Sequence, residues 1–178
     1  RMVVQTMDDH ALEEHRRLKD EFLATHRQSP LPPEARQGFD GLSYYPPDAA
    51  LVFQVHAHPL EPEPVTIGTT TGEMRTYSRV ATATVDIEGD EVTLGLFSTG
   101  HPGLFLPFRD ATSGNETYGA GRYLDLDVAD DGAITIDFNY AYAPFCAYND
   151  AYSCALPPPE NWIDAPIEAG ERLPLGDR

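Results

Sequence analysis

The chain predicts a mainly β fold, an antiparallel barrel or sandwich with one amphipathic helix packed on it from the N-terminal side. Three observations carry that expectation. Residues 8–27 form the one long stretch with helical periodicity. From residue 42 to residue 139, short runs alternate apolar with polar residues. Turn clusters such as EGDE and ADDG separate those runs. A length of 178 residues with 41% hydrophobic content suits a single domain with a proper core.

Taken in order, Ala11, Leu12, His15, Leu18, Phe22, Leu23 and His26 recur at three- and four-residue spacing, which places them on one helical stripe. Thr6 and Asp8 are candidate caps. The run SPLPP at 29–33 stops the helix, because a residue before proline avoids the helical region, and a short helical turn is expected at 33–38. In residues 51–58, Leu51, Phe53, Val55 and Ala57 alternate with Val52, Gln54, His56 and His58, which reads as a strand. Residues 77–87 and 91–97 read as a hairpin with Ala81, Ala83, Val85 and Ile87 on one face. LFLPF at 104–108 is a strand interrupted by proline and therefore expected near an edge. Residues 122–128 and 133–139 read as a second hairpin. Residues 140–161, rich in Tyr, Cys and Pro, are expected to form an ordered lid over the polar ends of the sheet, with 162–178 as a C-terminal segment.

Twenty-nine acids face twelve bases, a single lysine among them, for a net charge of −17. Such a surface repels nucleic-acid phosphates and anionic membranes. It suits a halophilic, cytoplasmic protein whose self-repulsion is screened by concentrated salt; an ordinary acidic protein is the alternative. No apolar run approaches the ~20 residues needed to span a bilayer, and the N-terminal sequence has no signal-peptide pattern.

Several blocks, SPLPPEAR, FDGLSYYPPD, LFLPFRDATSGNETYGAGRYLDL, DFNYAYAPFCAYN and CALPPPENW, together resemble the bacterial and archaeal family called domain of unknown function 1684 over roughly residues 12–172. Ala155 departs from a family pattern closer to CPLPP. The motif positions are Arg109, Asp110, Thr117, Tyr118, Arg122, Tyr123, Asp125, Asp137, Asn139, Cys146, Asn149, Cys154 and Asn161. The resemblance implies no activity.

The residues themselves suggest four constellations. Inward Leu124, Leu126, Ile134 and Ile136 would leave Asp125 and Asp137 on the opposite face of the 122–139 hairpin. If Ala129 pairs with Ala133, the two carboxylates lie directly opposite each other and need a cation, a shared proton, or Arg109 or Arg122 between them. They are the candidate catalytic pair; solvated or salt-bridged carboxylates are the alternative. Cys146 and Cys154, with seven residues between them, lack zinc-knuckle spacing and are expected to be free thiols; a disulfide, a nucleophile and a metal ligand remain open. His56 and His58 would share a strand face and offer two metal ligands, with His101 as a third, unless that face is merely solvated. The loop 109–123 offers glycines, hydroxyls and two arginines to an anion but lacks the phosphate-loop pattern; a tied-down long turn is the alternative.

Two functional classes follow. The first is a small-ligand-binding protein whose pocket is lined by Tyr118, Tyr123, Tyr140, Tyr142 and Tyr148, with Arg109 and Arg122 for an anionic group and Asp110, Asn139 and Asn149 beside them. The second is a hydrolase-like enzyme using Asp125 and Asp137, with or without a metal. A structural or assembly role is a third. No cofactor is named by any motif.

Overall fold

A computed structural model describes residues 7–173. The elements in chain order are α1 (Asp9–Thr25), α2 (Pro33–Gln37), β1 (Ser43–Tyr44), β2 (Val52–His56), β3 (His58–Gly68), β4 (Met74–Ile87), β5 (Asp90–Ser98), β6 (Leu104–Phe108), β7 (Arg122–Leu126), β8 (Ala133–Asp137) and β9 (Glu171–Arg172). Five strands form one antiparallel sheet in the order β3-β4-β5-β6-β7, while β2 pairs with β8 and β1 with β9. The architecture is therefore mainly β and sandwich-like, and the sheets do not close into a barrel. None of the described helices is long and apolar enough to cross a membrane.

The core lies between the layers. Leu94, Leu96, Leu106, Phe108, Leu124 and Leu126 of the large sheet meet Ile134 and Ile136 of β8, with Phe53 and Val55 of β2 packed against them. Alternation dictates this, since every second residue of each strand must point the same way. The β4–β5 hairpin closes through Glu88 and Gly89, both at positive φ (54° and 87°), the geometry of a two-residue primed turn. Asp86 accepts from the Gly89 amide at 2.8 Å and holds that turn.

The large sheet is apolar on its second face as well. Ile67, Phe97 and Tyr123 form a separate buried cluster with Ala155, joined by Val65, Tyr77, Phe105 and Tyr142. The segment 140–158 covers it. Its backbone bonds Tyr123 through Tyr142, Gly68 through Leu156, and Thr70 through Cys154. The expected lid is thus an ordered strap, and it lies across a sheet face rather than over the strand ends.

Other expectations are corrected. Helix α1 forms, with Asp8 capping the Ala11 amide at 2.9 Å; Thr6 lies outside the described residues. Of the expected stripe, Leu12 and Leu23 are buried and Phe22 half-buried, while Ala11, His15, Leu18 and His26 are exposed; half-buried Arg16 and Lys19 complete the inward face. Polar groups dock the helix: Arg16 reaches the carbonyls of Tyr45 and Asn139, Lys19 pairs with buried Glu171 at 2.8 Å, and Asp20 accepts from the Leu42 amide. Strand β6 is interior, between β5 and β7, despite Pro107. The proline-rich edge strand β3 was not signalled by alternation, because Pro59, Pro62 and Pro64 interrupt it and a register shift lies between Pro59 and Glu63.

The largest correction concerns residues 122–139. The turn forms as expected, with the Ala129 amide bonded to the Ala133 carbonyl at 2.9 Å. The strands it joins nevertheless belong to different layers: Asp125 lies opposite Phe105, and Asp137 opposite Val52. Inward Leu124, Leu126, Ile134 and Ile136 satisfy parity equally well as one hairpin face or as two faces across a sandwich. Parity alone does not choose between those arrangements.

Candidate functional site

Asp110, Thr112 and Thr117 of the loop between β6 and β7, with Arg122 at the start of β7, are buried and form a structural hub. Arg122 is fully buried, and its guanidinium donates to the carbonyls of Ala169, Glu171 and Ile167 and to Asp110 Oδ1 at 3.4 Å. Burial pulls its pKa down and Asp110 opposes that pull. Asp110 Oδ2 also accepts from the Ile167 amide at 2.6 Å and from the Thr112 hydroxyl at 2.8 Å. Gly121 makes the entry into β7 possible: at φ 105° an added Cβ would lie 2.6 Å from the Phe108 carbonyl oxygen. Arg109 lies elsewhere, over the ring of Trp162 at 5.1 Å. The structure therefore does not bring Arg109 and Arg122 together, and neither is within ion-pair distance of Asp125 or Asp137. The hydrogen bonds within the loop tie it down as a long turn.

The predicted ligand residues divide in the same way. Asn139 binds both the amide and the carbonyl of Asp48 and receives no solvent. Asn149 donates to the Pro30 carbonyl at 3.0 Å and accepts from the Ala151 amide. Tyr140 packs on the main core and meets His15 edge-on, Tyr118 reaches Cys146 Sγ at 3.4 Å, and the buried Tyr148 hydroxyl has no bonded partner among the described residues. The five tyrosines do not line one pocket.

Two of them do converge. Tyr123 and Tyr142 pack edge to face at 5.8 Å within a pocket of about 350 Å³ on the strapped face of the large sheet. Tyr77 and Phe105 complete its floor, while Phe145 and Tyr152 stand at the mouth, each 37% exposed and mutually edge-on at 5.4 Å. Burial raises the pKa of both Tyr123 and Tyr142 far above the usual phenol range, so their hydroxyls stay neutral. Tyr123 donates to the Ala155 carbonyl and Tyr142 to Asp125 Oδ2 at 2.7 Å. Among the described residues no carboxylate lines this pocket, and the one charged group there is Arg75. Arg75 donates to the Ser153 carbonyl at 2.9 Å and has no acidic partner within ion-pair distance among the described residues.

Arg75, Tyr77, Phe105 and Tyr152 were missed from sequence. Residues 77 and 81 share parity, yet Tyr77 packs on the strapped face and Ala81 in the core. The register shift between Arg79 and Ala81 inserts one extra residue and reverses the alternation.

Cys154 borders the same pocket, and its sulfur accepts from the Cys146 amide at 3.4 Å; both cysteines are free thiols here. Burial, and then the neighbouring Cys146 thiol, push the Cys154 pKa up to about 11. A thiol held in that range is a poor nucleophile at neutral pH. His56 ends β2 and His58 opens β3, so the two belong to different sheets, both exposed, with His56 3.9 Å from Asp131. No three His, Cys, Asp or Glu side chains gather into a metal site among the described residues, and His101 sits exposed in the turn before β6.

Asp125 and Asp137 do line a common open cleft of about 770 Å³ at the seam between β7 and β8. Each already holds a neighbour in place: Asp125 takes the Tyr142 hydroxyl, and Asp137 Oδ1 accepts from both the backbone amide and the side chain of Asn139.

Residues 37–172 match the family model described as "Protein of unknown function (DUF1684)". The chain belongs to this family. The match begins at residue 37, so α1 lies outside it. A solution NMR structure of an uncharacterized protein from Haloarcula marismortui is similar along nearly the whole chain: 43% identity, 94% of this chain and 95% of that one covered, TM-score 0.73. No curated protein matches.

Proposed function

We infer that this member of the DUF1684 family binds a small ligand that combines a flat apolar group with an anionic one, in the aromatic pocket beneath the strap. The observation that carries this reading is Arg75: a cation with no carboxylate partner among the described residues, set in a pocket of tyrosines and phenylalanines, on a chain that carries 29 acids. Aromatic walls supply contact area with little conformational entropy to lose, and a partly desolvated guanidinium fixes the orientation of an acid group. The hydrolase reading has weaker support, since Asp125 and Asp137 are each engaged in holding a neighbour.

Titration with 4-hydroxyphenylacetate, followed by amide chemical shifts, tests the pocket. Saturable shifts are expected at Arg75, Tyr77 and Tyr152. The corresponding amide, which lacks the charge, should bind at least tenfold more weakly. Arg75→Met should remove that preference, a loss of about 1.5–3 kcal/mol on the scale of a hydrogen bond to a charged group. Equal binding of acid and amide would refute the role given to Arg75.

The same proposal includes a cytoplasmic, salt-adapted setting, supported by the acid excess, the single lysine and the similarity to a Haloarcula protein. Thermal unfolding should therefore move to higher temperature as potassium chloride rises from millimolar to molar, because screening relieves the repulsion among carboxylates. A midpoint that does not rise with salt would remove this part of the reading.

A further inference from the structure

The strap brings both cysteines of the chain together at the rim of the aromatic pocket. Cys146 lies in a single tight helical turn, Phe145–Ala147. Cys154 returns beside the end of β3, where the Thr70 amide donates to its carbonyl at 3.0 Å and its own amide donates to the Thr70 hydroxyl at 3.1 Å. The residues between them fold back, since the amides of Tyr148 and Asn149 donate to the Phe145 carbonyl and that of Tyr152 to the Asn149 carbonyl. The Cys146 amide therefore reaches Cys154 Sγ at 3.4 Å, and the two thiols are hydrogen-bonded neighbours. Their surroundings differ. Cys146 is buried and accepts from the Tyr118 hydroxyl, whereas Cys154 is half-buried and borders the pocket. Arg75 donates to the carbonyl of Ser153, the residue before Cys154, so the guanidinium of the pocket stands beside the more open thiol.

We propose that Cys154 and Cys146 form a thiol–disulfide exchange pair whose co-substrate, resting on the pocket reading above, is a small disulfide that joins an apolar part to an acid group. Its acid group meets Arg75, and its apolar part and sulfurs pack on the tyrosine and phenylalanine rings. Cys154 reacts first, because Cys146 is buried away from the pocket. The Cys154 sulfur loses its proton and attacks one sulfur of the small disulfide; that S–S bond breaks and a first small thiolate leaves. The Cys146 sulfur, its proton lost in turn, attacks the Cys154 sulfur; the Cys146–Cys154 bond forms and a second small thiolate leaves. Two protein thiols are oxidised, and one small disulfide is reduced to two thiols. Burial keeps Cys154 mostly protonated at neutral pH, so a free disulfide in solution reacts slowly. One held against the thiol reacts as an intramolecular partner, which offsets the small thiolate fraction and confines the exchange to disulfides that fit the pocket.

The probe is dithiobis(2-nitrobenzoate), an aromatic disulfide with a carboxylate on each ring, added at one equivalent to the reduced, folded protein. Two thionitrobenzoates should be released per chain, and the protein should lose the mass of two hydrogens, carry no adduct and show Cys146 joined to Cys154 on peptide mapping. Cys146→Ser should release one thionitrobenzoate and keep the other as a mixed disulfide on Cys154. Cys154→Ser should slow release at least tenfold, because buried Cys146 must then react first. Should either variant misfold, the mass of the unaltered protein still decides. Arg75→Met should slow this probe at least tenfold relative to dithiodipyridine, a flat disulfide without charge. A persistent adduct on the unaltered protein, no release while it stays folded, or equal slowing of the two probes by Arg75→Met overturns the proposal. If 4-hydroxyphenylacetate fails to bind while the Cys146–Cys154 bond still forms and still depends on Arg75, the exchange stands and the pocket reading of an aromatic acid falls by itself.

Discussion

Asp110→Ala is expected to destabilise the protein by about 3–5 kcal/mol, the usual cost of removing one partner of a buried ion pair. The size follows from what would be left behind. Arg122 is wholly enclosed, and Asp110 supplies its only carboxylate contact among the described residues; the other acceptors of its guanidinium are carbonyl oxygens. Alanine would also release the Ile167 amide and the Thr112 hydroxyl, both buried. Urea denaturation should show the loss as a lower midpoint with little change in slope. Removing both partners should be milder: Asp110→Ala combined with Arg122→Met ought to recover part of the stability, because no uncompensated charge remains inside. A single-variant loss below about 1 kcal/mol would mean that water reaches Arg122 and that the hub is not closed. Loss of ligand binding in an Asp110 variant would therefore report unfolding, and Arg75 is the informative position for recognition.

Much of the fold was legible because burial obeys local periodicity. The β4–β5 hairpin announced itself through Ala81, Ala83, Val85 and Ile87 and the Glu88–Gly89 turn, and all four residues are buried. Helix α1 was legible as a helix but not in its orientation. Its docking rests on Arg16 and Lys19, whose polar ends find partners on the Tyr45–Asn139 and Glu171 sides, and apolar periodicity cannot report such contacts. The pairing of β7 was illegible for a related reason. Two strands joined by a tight turn look alike in sequence whether they bond to each other or separate into two layers, since the inward residues are the same. The candidate site was half visible. Tyr123 and Tyr142 were recognised as pocket residues, but Arg75 and Tyr77 were hidden by the register shift at Arg79–Ala81, which leaves no mark in an alternation of Val, Ala and Thr. The arginines that stood out, Arg109 and Arg122, are engaged by Trp162 and by the buried hub.

Asn161→Ala should cost about 3–5 kcal/mol, because it leaves three buried backbone groups unpaired at ~1–3 kcal/mol each, offset in part by water entry. The reason lies in the join between β5 and β6, which are paired at Phe97 and Phe105 alone. Pro107 has no N–H to offer, and the ladder would be expected to fail there. The Asn161 side chain takes over. Its Oδ1 accepts from the Gly95 amide at 2.7 Å, and its Nδ2 donates to the carbonyls of Gly95 and Pro107, each at 2.9 Å. A primary amide thus stands in for a peptide unit between two strands, which is how a proline-bearing strand comes to lie inside the sheet. Hydrogen exchange at the Gly95 amide gives the specific readout and should accelerate in the alanine variant beyond the change expected from global stability. Asn161→Asp should be worse than alanine at neutral pH, since an ionised carboxylate would face two carbonyl oxygens in a buried site. That variant should regain stability on acidification. Burial and the facing carbonyls raise the new carboxyl's folded pKa above its unfolded value, so the folded state holds the proton more tightly as pH falls between the two. An alanine variant of unchanged stability, with Gly95 still protected, would show that β5 and β6 hold together without the bridge.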